Sequence, residues 1–159
     1  MKYWEVYESK IGPLTLLCDD EALLSIDFGR SEPEEAIKKR TGLIEKTISQ
    51  LEEYMIGKRK TFDLPLKPEG TEFQKKVWDA LLTIPYGETK SYKDIAVQIH
   101  NPKGCRAVGM ANNRNPIPVI IPCHRVIGAN GSLVGYGGGM DIKVKLLELE
   151  RPDASLYNY

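Results

Sequence analysis

The stretch KRKTFDLPLKPEG, residues 58–70, divides the chain into two parts with different sequence patterns. It contains prolines and a glycine and has no helical period, which is typical of a linker. The segments before it are short and rich in aromatic and branched residues, whereas those after it begin with helix-capping signals. We therefore predict an α+β protein. Residues 1–70 would form a small N-terminal α/β domain with the linker, and residues 71–159 a mostly helical C-terminal domain.

The N-terminal part predicts strands followed by helices. Strands are expected at Tyr3–Ser9, Leu14–Cys18 and Ala22–Phe28, with turn signals at Gly12-Pro13 and Asp19-Asp20. Helices are expected at Glu32–Arg40 and Leu43–Ile56. The second of these has apolar residues at spacings near 3.6, and Gly57 marks its end.

The C-terminal part predicts three further helices. They begin at Thr71, Ser91 and about Lys103, and they end near Thr83, Ile99 and Asn113. The first two starts are capping boxes, completed three residues later by Gln74 and Asp94. The second and third helices, joined by a tight turn, are compatible with a helix-turn-helix, although most helical domains contain such a pair.

The third of these helices has an unusual composition. Its small residues are Gly104, Ala107, Gly109 and Ala111, and a glycine inside a helix costs about 0.5–1 kcal/mol. Such a surface suits close approach of a ligand to the backbone or close packing against another helix, and the pattern leaves both open. Arg106, Met110 and Asn113 lie on one face of this helix.

Charge is unevenly distributed, although the formal net charge is zero. Residues 88–130 carry six basic and two acidic side chains, whereas the first 87 residues carry 13 basic and 16 acidic ones. A basic segment on an acidic body is typical of a phosphate-binding face, and chance clustering is the alternative.

The composition also restricts the class of protein. No apolar run in the 159 residues approaches the roughly 18–20 residues that cross a bilayer. The N-terminus, MKYWEVYESK, has no apolar core like that of a signal peptide. Three cysteines without a framework spacing indicate a reducing compartment. We expect a cytoplasmic protein that has no membrane partner.

Residues 115–127, NPIPVIIPCHRVI, carry the candidate chemistry. The apolar run Val119-Ile120-Ile121 is predicted to form a short buried strand that leads to Cys123, His124 and Arg125. A polar triplet at the end of an apolar segment costs free energy unless it is used. A buried cysteine is more often an inert small hydrophobic residue, but that alternative leaves the histidine and the arginine unexplained.

A metal site is not expected, since the chain has two histidines and no Cys-x-x-Cys pair. On an extended strand Cys123 and His124 point to opposite faces, so they could meet only through a bend at Pro122 or an intervening water. A histidine that acts through an intervening water needs an acidic side chain to orient its ring. Glu150, at the edge of a predicted helix Asp141–Glu150, is the candidate, and surface exposure is the alternative.

A glycine-rich stretch, residues 135–139, lies between these two groups in the sequence. Its glycines allow close backbone approach to a ligand, and Tyr136 could stack on a flat ring. A generic flexible loop is the alternative.

These residues resemble those of the O6-alkylguanine-DNA alkyltransferases, also called methylated-DNA–protein-cysteine methyltransferases. The resemblance covers essentially the whole chain. Its most specific part is Pro122-Cys123-His124-Arg125-Val126, preceded by Asn115-Pro116-Ile117-Pro118. Tyr92, Arg106-Ala107-Val108-Gly109, the stretch 136–139 and Glu150 also fall at the family's spacing. The resemblance implies an antiparallel sheet in the N-terminal domain and a helix-turn-helix in the C-terminal one.

The resemblance further implies repair of double-stranded DNA by a monomer that needs neither a cofactor nor a metal. A recognition helix would lie in the minor groove, and the O6-alkylguanine would be flipped out into a pocket. Arg106 would take the place of the extruded base, while Tyr92 would assist rotation of the phosphate and bond to the base. The DNA-binding residues implied are Tyr92, Arg106, Ala107, Gly109, Asn113, Arg114 and Arg125. The pocket residues implied are Val126, Tyr136, Gly137, Gly138, Lys143 and Trp78.

The implied reaction is attack of the Cys123 sulfur on the alkyl carbon at guanine O6; whether O4-alkylthymine also reacts stays open. A thiol with an ordinary pKa near 8.5 is mostly protonated at neutral pH. By resemblance, His124 takes the proton through a water and is held by Glu150, while Asn115 braces the turn. A thioether is a poor leaving group, so the protein is expected to act once.

Two departures and three alternatives accompany this resemblance. Gly137 stands where some relatives have a serine that contacts O6, and the zinc-binding cysteine and histidine set of some relatives is absent.

A lesion-binding or alkylation-sensing protein with little transfer activity is one alternative, although binding-only relatives lack the cysteine. A regulator would need further domains that 159 residues do not hold. A papain-like hydrolase would not depend on DNA.

Overall fold

The computed structural model describes residues 1–129, 131 and 139–152. The chain divides into two compact units, Met1–Glu69 and Gly70–Tyr159, each with its own core. Within the described ranges, no helix combines the length and the apolar character needed to cross a membrane.

The first unit is a four-stranded sheet with one helix. Its elements are β1 (Lys2–Ser9), β2 (Gly12–Cys18), β3 (Leu23–Phe28), β4 (Ala36–Lys38) and α1 (Gly42–Met55). The strand order is β3-β2-β1-β4, with β1–β2 and β2–β3 antiparallel and β4 parallel to β1. The first three strands and α1 confirm the sequence-based predictions to within one or two residues.

The core of this unit lies between the sheet and α1. Apolar residues from both sides are fully buried, including Leu14, Leu16 and Leu23 from strands and Ile44, Leu51 and Tyr54 from the helix. The Thr41 side chain caps α1 by accepting a hydrogen bond from the Ile44 amide.

The predicted helix Glu32–Arg40 is wrong. Residues 36–38 instead form β4, which adds to the edge of the sheet beside β1. The stretch offers a helix only one large apolar residue, Ile37, so it could not bury a face. Glu35 has a φ of 56°, which is incompatible with continuing a right-handed helix.

The second unit is mainly helical. Its elements are α2 (Glu72–Leu81), β5 (Lys90–Ser91), α3 (Tyr92–Gln98), α4 (Cys105–Asn113), a 3-10 turn (Cys123–Arg125), β6 (Val126–Ile127) and α5 (Met140–Glu150). Both predicted capping boxes are present, at Thr71 and at Ser91. The α+β class, with a mostly antiparallel sheet followed by helices, is confirmed.

Helix packing and one short strand pair hold the second unit together. The helix α4 packs on both α2 and α3, and the Trp78 indole nitrogen donates a hydrogen bond to the Ala111 carbonyl at 2.9 Å. The short strands β5 and β6 pair in parallel, Lys90 with Val126 and Ser91 with Ile127. This pairing brings the start of α3 beside the backbone that follows Cys123.

The predicted strand Val119–Ile121 is also wrong. The run is buried, but its backbone turns: Val119 has a φ of 74°, and the Ile121 amide donates to the Ile117 carbonyl at 2.9 Å. The flanking prolines explain the difference, since Pro118 and Pro122 have no amide hydrogen to give to a sheet.

Candidate active site

Two asparagine side chains hold the turn that carries Cys123. Asn115 Nδ2 donates to the Ile121 carbonyl at 2.7 Å, and Asn115 Oδ1 accepts from the Ile117 amide at 2.9 Å. These bonds substitute for the ladder bonds that the prolines cannot make. From α4, Asn112 Nδ2 donates to the Cys123 carbonyl at 3.4 Å. Sequence reasoning missed Asn112, although its place on the buried side of α4 beside Val108 and Ala111 was a usable signal.

His124 and Glu150 form a buried pair. His124 Nε2 lies 2.7 Å from Glu150 Oε2, and both side chains are almost completely inaccessible to solvent. An ionised carboxylate can only accept, so Nε2 carries the hydrogen and Nδ1 has the free lone pair. His124 Nδ1 is buried and has no hydrogen-bond partner among the described residues. The pair therefore leaves one imidazole nitrogen able to accept a proton.

Arg125 belongs to this buried pair rather than to a DNA-facing surface. Its Nε donates to Glu150 Oε1 at 2.8 Å, and a terminal nitrogen donates to Oε2 at 2.9 Å. The other terminal nitrogen donates to the Ile84 carbonyl at 2.7 Å, and the guanidinium lies 5.8 Å from the Tyr86 ring centre. Arg125 is 6% exposed. This position does not favour its predicted role as a DNA contact, because the guanidinium is engaged by Glu150 and by the Ile84 carbonyl inside the protein.

Burial has opposite effects on the pKa values of Glu150 and His124. Burial would raise the pKa of Glu150, but the hydrogen bonds and charges of His124 and Arg125 outweigh it and hold that pKa well below its ordinary value. Burial is also the main influence on His124: it lowers the pKa of the imidazole and outweighs the hydrogen bond and charge of Glu150, which raise that pKa, while the cations Arg125 and Lys143 lower it further. At neutral pH this site contains an ionised glutamate and a neutral histidine.

Lys143 lies on α5, in its first turn. Its side chain is fully buried, and Nζ donates to the Val126 carbonyl at 2.7 Å. Burial lowers the pKa of Lys143 to about 8, while the nearby Cys123 raises it. Lys143 was predicted as a pocket residue, and the structure places its Nζ against the backbone of β6.

Tyr92, the first residue of α3, faces both α4 and the cysteine. A Cβ at Gly109 would lie 3.7 Å from its ring, which is an ordinary van der Waals contact, so Tyr92 and Gly109 are neighbours and an alanine would fit at position 109. Burial raises the pKa of Tyr92, and the charge of Cys123 raises it further. The phenol is therefore neutral at physiological pH and can donate a hydrogen bond.

The outer face of α4 is exposed and basic. Arg106, Ala107, Asn113 and Arg114 are exposed, and Met110 is 57% exposed. Val108 and Ala111 are buried against the neighbouring helices. The small residues thus serve both purposes that the sequence left open: some allow close packing inside, and others leave the outer face without bulk.

The remaining predicted pocket residues lie in different places. Val126 is buried beside Lys143, whereas Trp78 lies in the core between α2 and α4, 1% exposed. Tyr136, Gly137 and Gly138 lie outside the described residues. Across residues 1–129, 131 and 139–152 there is no group of three His, Cys, Asp or Glu side chains that could hold a metal ion.

Comparison with known proteins assigns both units. Residues 72–152 match the family model described as 6-O-methylguanine DNA methyltransferase, DNA binding domain, and residues 2–68 match its ribonuclease-like domain. A protein of Methanosarcina acetivorans named methylated-DNA–protein-cysteine methyltransferase is 52% identical, covering 93% of this chain and 97% of that protein. The constitutive enzyme of that name from Bacillus subtilis is 42% identical, covering 95% and 96%.

Solved structures agree with these sequence matches. The crystal structure of Mycobacterium tuberculosis OGT in complex with DNA has a TM-score of 0.89 and 46% identity, covering 94% of this chain and 93% of that one. A second structure, of Mycobacterium tuberculosis O6-methylguanine methyltransferase, has a TM-score of 0.87 and 46% identity, covering 97% and 95%.

Proposed function

Because this chain belongs to the 6-O-methylguanine DNA methyltransferase family, we propose that Cys123 is the residue that accepts the alkyl group. The protein repairs DNA by alkyl transfer to a cysteine. The substrate that we propose is O6-alkylguanine in double-stranded DNA.

The observation that carries this proposal is the hydrogen bond between His124 and Glu150 directly beside Cys123. The chain has two other cysteines, and within the described part of the chain neither adjoins such a histidine–glutamate pair. Cys18 lies in β2 with its sulfur 3.6 Å from the Thr41 hydroxyl, and burial raises its pKa. Cys105 begins α4 and is partly exposed. Among the residues that the structure describes, Cys123 is therefore the cysteine beside a proton acceptor that a carboxylate positions.

The proposed reaction moves one proton and one alkyl group. His124 Nδ1 accepts the proton of the Cys123 thiol, through a water as the family resemblance implies, while Glu150 fixes the imidazole from the other side. The sulfur then forms a bond to the alkyl carbon, and the carbon–O6 bond breaks with its electron pair going to guanine. The guanine takes up a proton. The thioether remains on the protein, so each molecule acts once.

The outer face of α4 and the ring of Tyr92 support the proposed way of binding DNA. An exposed surface of small and basic residues suits the narrow minor groove, where bulk would prevent approach. Arg106 would fill the space of the extruded base, and Tyr92 would donate a hydrogen bond to the flipped base. Ala107, Gly109, Asn113 and Arg114 would line the groove contact.

We also propose that the protein acts in the cytoplasm as a monomer. Its three cysteines are free thiols, which is typical of a reducing compartment. One cysteine acceptor in each chain predicts a stoichiometry of one alkyl group for each protein molecule.

The test is intact-mass spectrometry after incubation with duplex DNA that contains one O6-methylguanine. We expect a gain of one methyl group, mapped to Cys123, that saturates at one per protein even with excess duplex. Cys123→Ala should gain nothing, and Cys105→Ala, the matched control, should behave like the wild type. Binding of the lesion without a mass gain would instead favour the lesion-binding alternative.

A further inference from the structure

Two buried side-chain atoms have no hydrogen-bond partner among the residues that the structure describes, and both belong to residues that contact or adjoin Cys123. They are Asn112 Oδ1 and His124 Nδ1. Asn112 is 1% exposed, and His124 is completely buried. A buried polar atom without a partner is costly and rare in folded proteins, so two of them beside one cysteine require an explanation.

A hydrogen bond places Asn112 against the peptide group from which His124 extends. Asn112, on α4, donates from Nδ2 to the Cys123 carbonyl at 3.4 Å, and this carbonyl belongs to the peptide bond that joins Cys123 to His124. A carbonyl oxygen can only accept, so the NH2 group of the asparagine must face it. The assignment of Oδ1 as the atom without a partner follows from this contact.

Both atoms are acceptors. The Oδ1 atom of an amide can only accept, and His124 Nδ1 accepts because Nε2 carries the hydrogen that is donated to Glu150. A molecule that donates two hydrogens satisfies two acceptors at once, and water is such a molecule. Buried waters typically make about three hydrogen bonds to polar groups that would otherwise be unsatisfied. The third bond leaves a place for one donor, and the thiol of Cys123 is the donor that the proposed reaction requires.

We propose that Asn112 is a positioning residue that anchors the water through which Cys123 gives its proton to His124. This inference rests on the proposed role of Cys123 as acceptor, and it adds the second protein group that holds the water. Before transfer, the water donates one hydrogen to Asn112 Oδ1 and the other to His124 Nδ1, and it accepts the thiol hydrogen.

Proton transfer leaves the bond to Asn112 in place. The thiol proton moves to the water oxygen, and the hydrogen that the water directs at Nδ1 moves to Nδ1. The water is neutral again: it accepts from the imidazolium, donates its new hydrogen to the thiolate, and still donates the other one to Oδ1. A water that accepts from a cation donates more strongly, so the bond to Oδ1 strengthens as the thiolate forms.

The first experiment is a crystal structure of the wild-type protein at a resolution that shows ordered waters, so it does not depend on whether a variant folds. We expect one water within about 3.2 Å of both Asn112 Oδ1 and His124 Nδ1. Separate waters on the two atoms, or a protein donor bound to either of them, would overturn the proposal.

The second experiment measures the reactivity of Cys123 toward iodoacetamide, a small neutral electrophile, as a function of pH. Peptide mapping separates Cys123 from the other cysteines. Asn112→Leu keeps a similar volume but has no acceptor, so we expect the midpoint of the pH profile to rise by about half a unit to one unit. The rate at pH 7 should then fall about three- to tenfold.

The shape of the pH profile separates an anchored water from a merely structural role. Well above the midpoint the thiolate forms without the relay, so the rates of Asn112→Leu and the wild type should converge there. A loosened turn would slow the reaction by the same factor at every pH. An unchanged midpoint, or a deficit that is equal at all pH values, would overturn the proposal.

Gln50→Leu is the matched control. Gln50 is also a buried amide, but it lies in the first unit, where both of its polar atoms bond to the Asp63 backbone. This variant should keep the wild-type midpoint. Neither substitution alters the titratable and charged groups that interact with Cys123 or His124 among the described residues, which are Tyr92, Arg125, Lys143 and Glu150.

The two proposals fail in different ways. If the wild type gains no methyl group from the duplex but the crystal structure shows the shared water, the proposed function fails and the water site stands. If methyl transfer to Cys123 proceeds and no water joins Asn112 to His124, the role of Asn112 alone is wrong.

Discussion

The two units of the chain put their ion pairs in opposite environments. In Met1–Glu69, pairs such as Arg30–Glu8, Arg40–Glu45 and Lys46–Asp63 join side chains that are about half exposed or more. In the second unit, Glu150 is paired with His124 and Arg125, and none of the three side chains is more than 8% exposed. The same residue types therefore meet under different dielectric conditions.

This difference in exposure indicates which charged side chains have a role in the reaction rather than in stability. An exposed pair contributes roughly 0–1 kcal/mol, so its presence says little. A buried pair must overcome the desolvation of both ions, and apolar residues of similar volume would often be as stable or more so. The buried cluster is thus poorly explained by stability and well explained by the orientation and ionisation of a nucleophile.

The largest effect is expected from breaking the buried cluster with Glu150→Gln. The variant leaves Arg125 without its anion and turns one of the two accepting oxygens into an amide NH2 group, so the side chain cannot accept from both His124 and Arg125 as the carboxylate does. We expect the unfolding free energy to fall by about 3–5 kcal/mol and methyl transfer to slow roughly 100-fold, the lower range for lost acid–base assistance. Urea unfolding and single-turnover mass spectrometry measure the two quantities. Glu148→Gln, an exposed change on the same helix, is the control, and an unimpaired transfer rate in Glu150→Gln would contradict the mechanism.

A smaller effect on activity, without an effect on stability, is expected for Arg106→Ala. The side chain is exposed on α4, so unfolding in urea should not change by more than about 0.5 kcal/mol. Transfer from duplex DNA should slow roughly 10–100-fold, because extruding a base costs a few kcal/mol that Arg106 helps to offset. Transfer from free O6-methylguanine base should be unaffected. Lys145→Ala on α5 is the matched control, and equal slowing with both substrates would show that Arg106 does not act through DNA.

The pH dependence of stability should also separate the buried cluster from the surface. Burial lowers the pKa of His124 in the folded state, so its contribution is complete above about 6.5 and is lost as the pH falls below that value. Glu150 acts in the same direction at still lower pH, because its pKa is depressed from 4.5. We expect the unfolding free energy to fall between pH 7 and 5, and His124→Asn to flatten that slope.

Urea unfolding at pH 7, 6 and 5 measures this slope. The chain has one other histidine, His100, which is exposed. His100→Asn should keep the wild-type slope. If the two asparagine variants had the same slope, the buried histidine would not be the cause.

The smallest effect is expected from an exposed pair of the first unit. Lys46 and Asp63 lie 3.6 Å apart with both side chains exposed. Lys46→Ala should change the unfolding free energy by no more than about 0.5 kcal/mol. A loss of several kcal/mol in unfolding free energy would mean that exposure does not predict how much an ion pair of this protein contributes to stability.

Local signals predicted much of this structure. Capping boxes at Thr71 and Ser91 depend on neighbours three residues apart, so the sequence shows them directly. The first three strands and α1 follow from the periodicity of their own residues. The helix predicted over Glu32–Arg40 failed because β4 is formed by pairing with a distant strand, which no local pattern specifies.

The site was predicted through its motif rather than through its geometry. Residue spacing and resemblance pointed to Cys123, His124 and Glu150, and the structure brings the last two together. The burial of Arg125 was missed, since the same arginine in a basic segment also suits a surface. Asn112 and Tyr86 were missed because their contacts depend on how α4 and the residues after α2 pack around the turn.

The hydrogen bond from the Trp78 indole to Ala111 has a spectroscopic consequence. The chain contains two tryptophans, Trp4 in the sheet of the first unit and Trp78 in the helical second unit, and both are buried. Each unit therefore has its own intrinsic fluorophore. With Trp4→Phe, the emission of Trp78 alone would report on the surroundings of α4, so melting of the helical second unit and its response to DNA could be followed without any attached label.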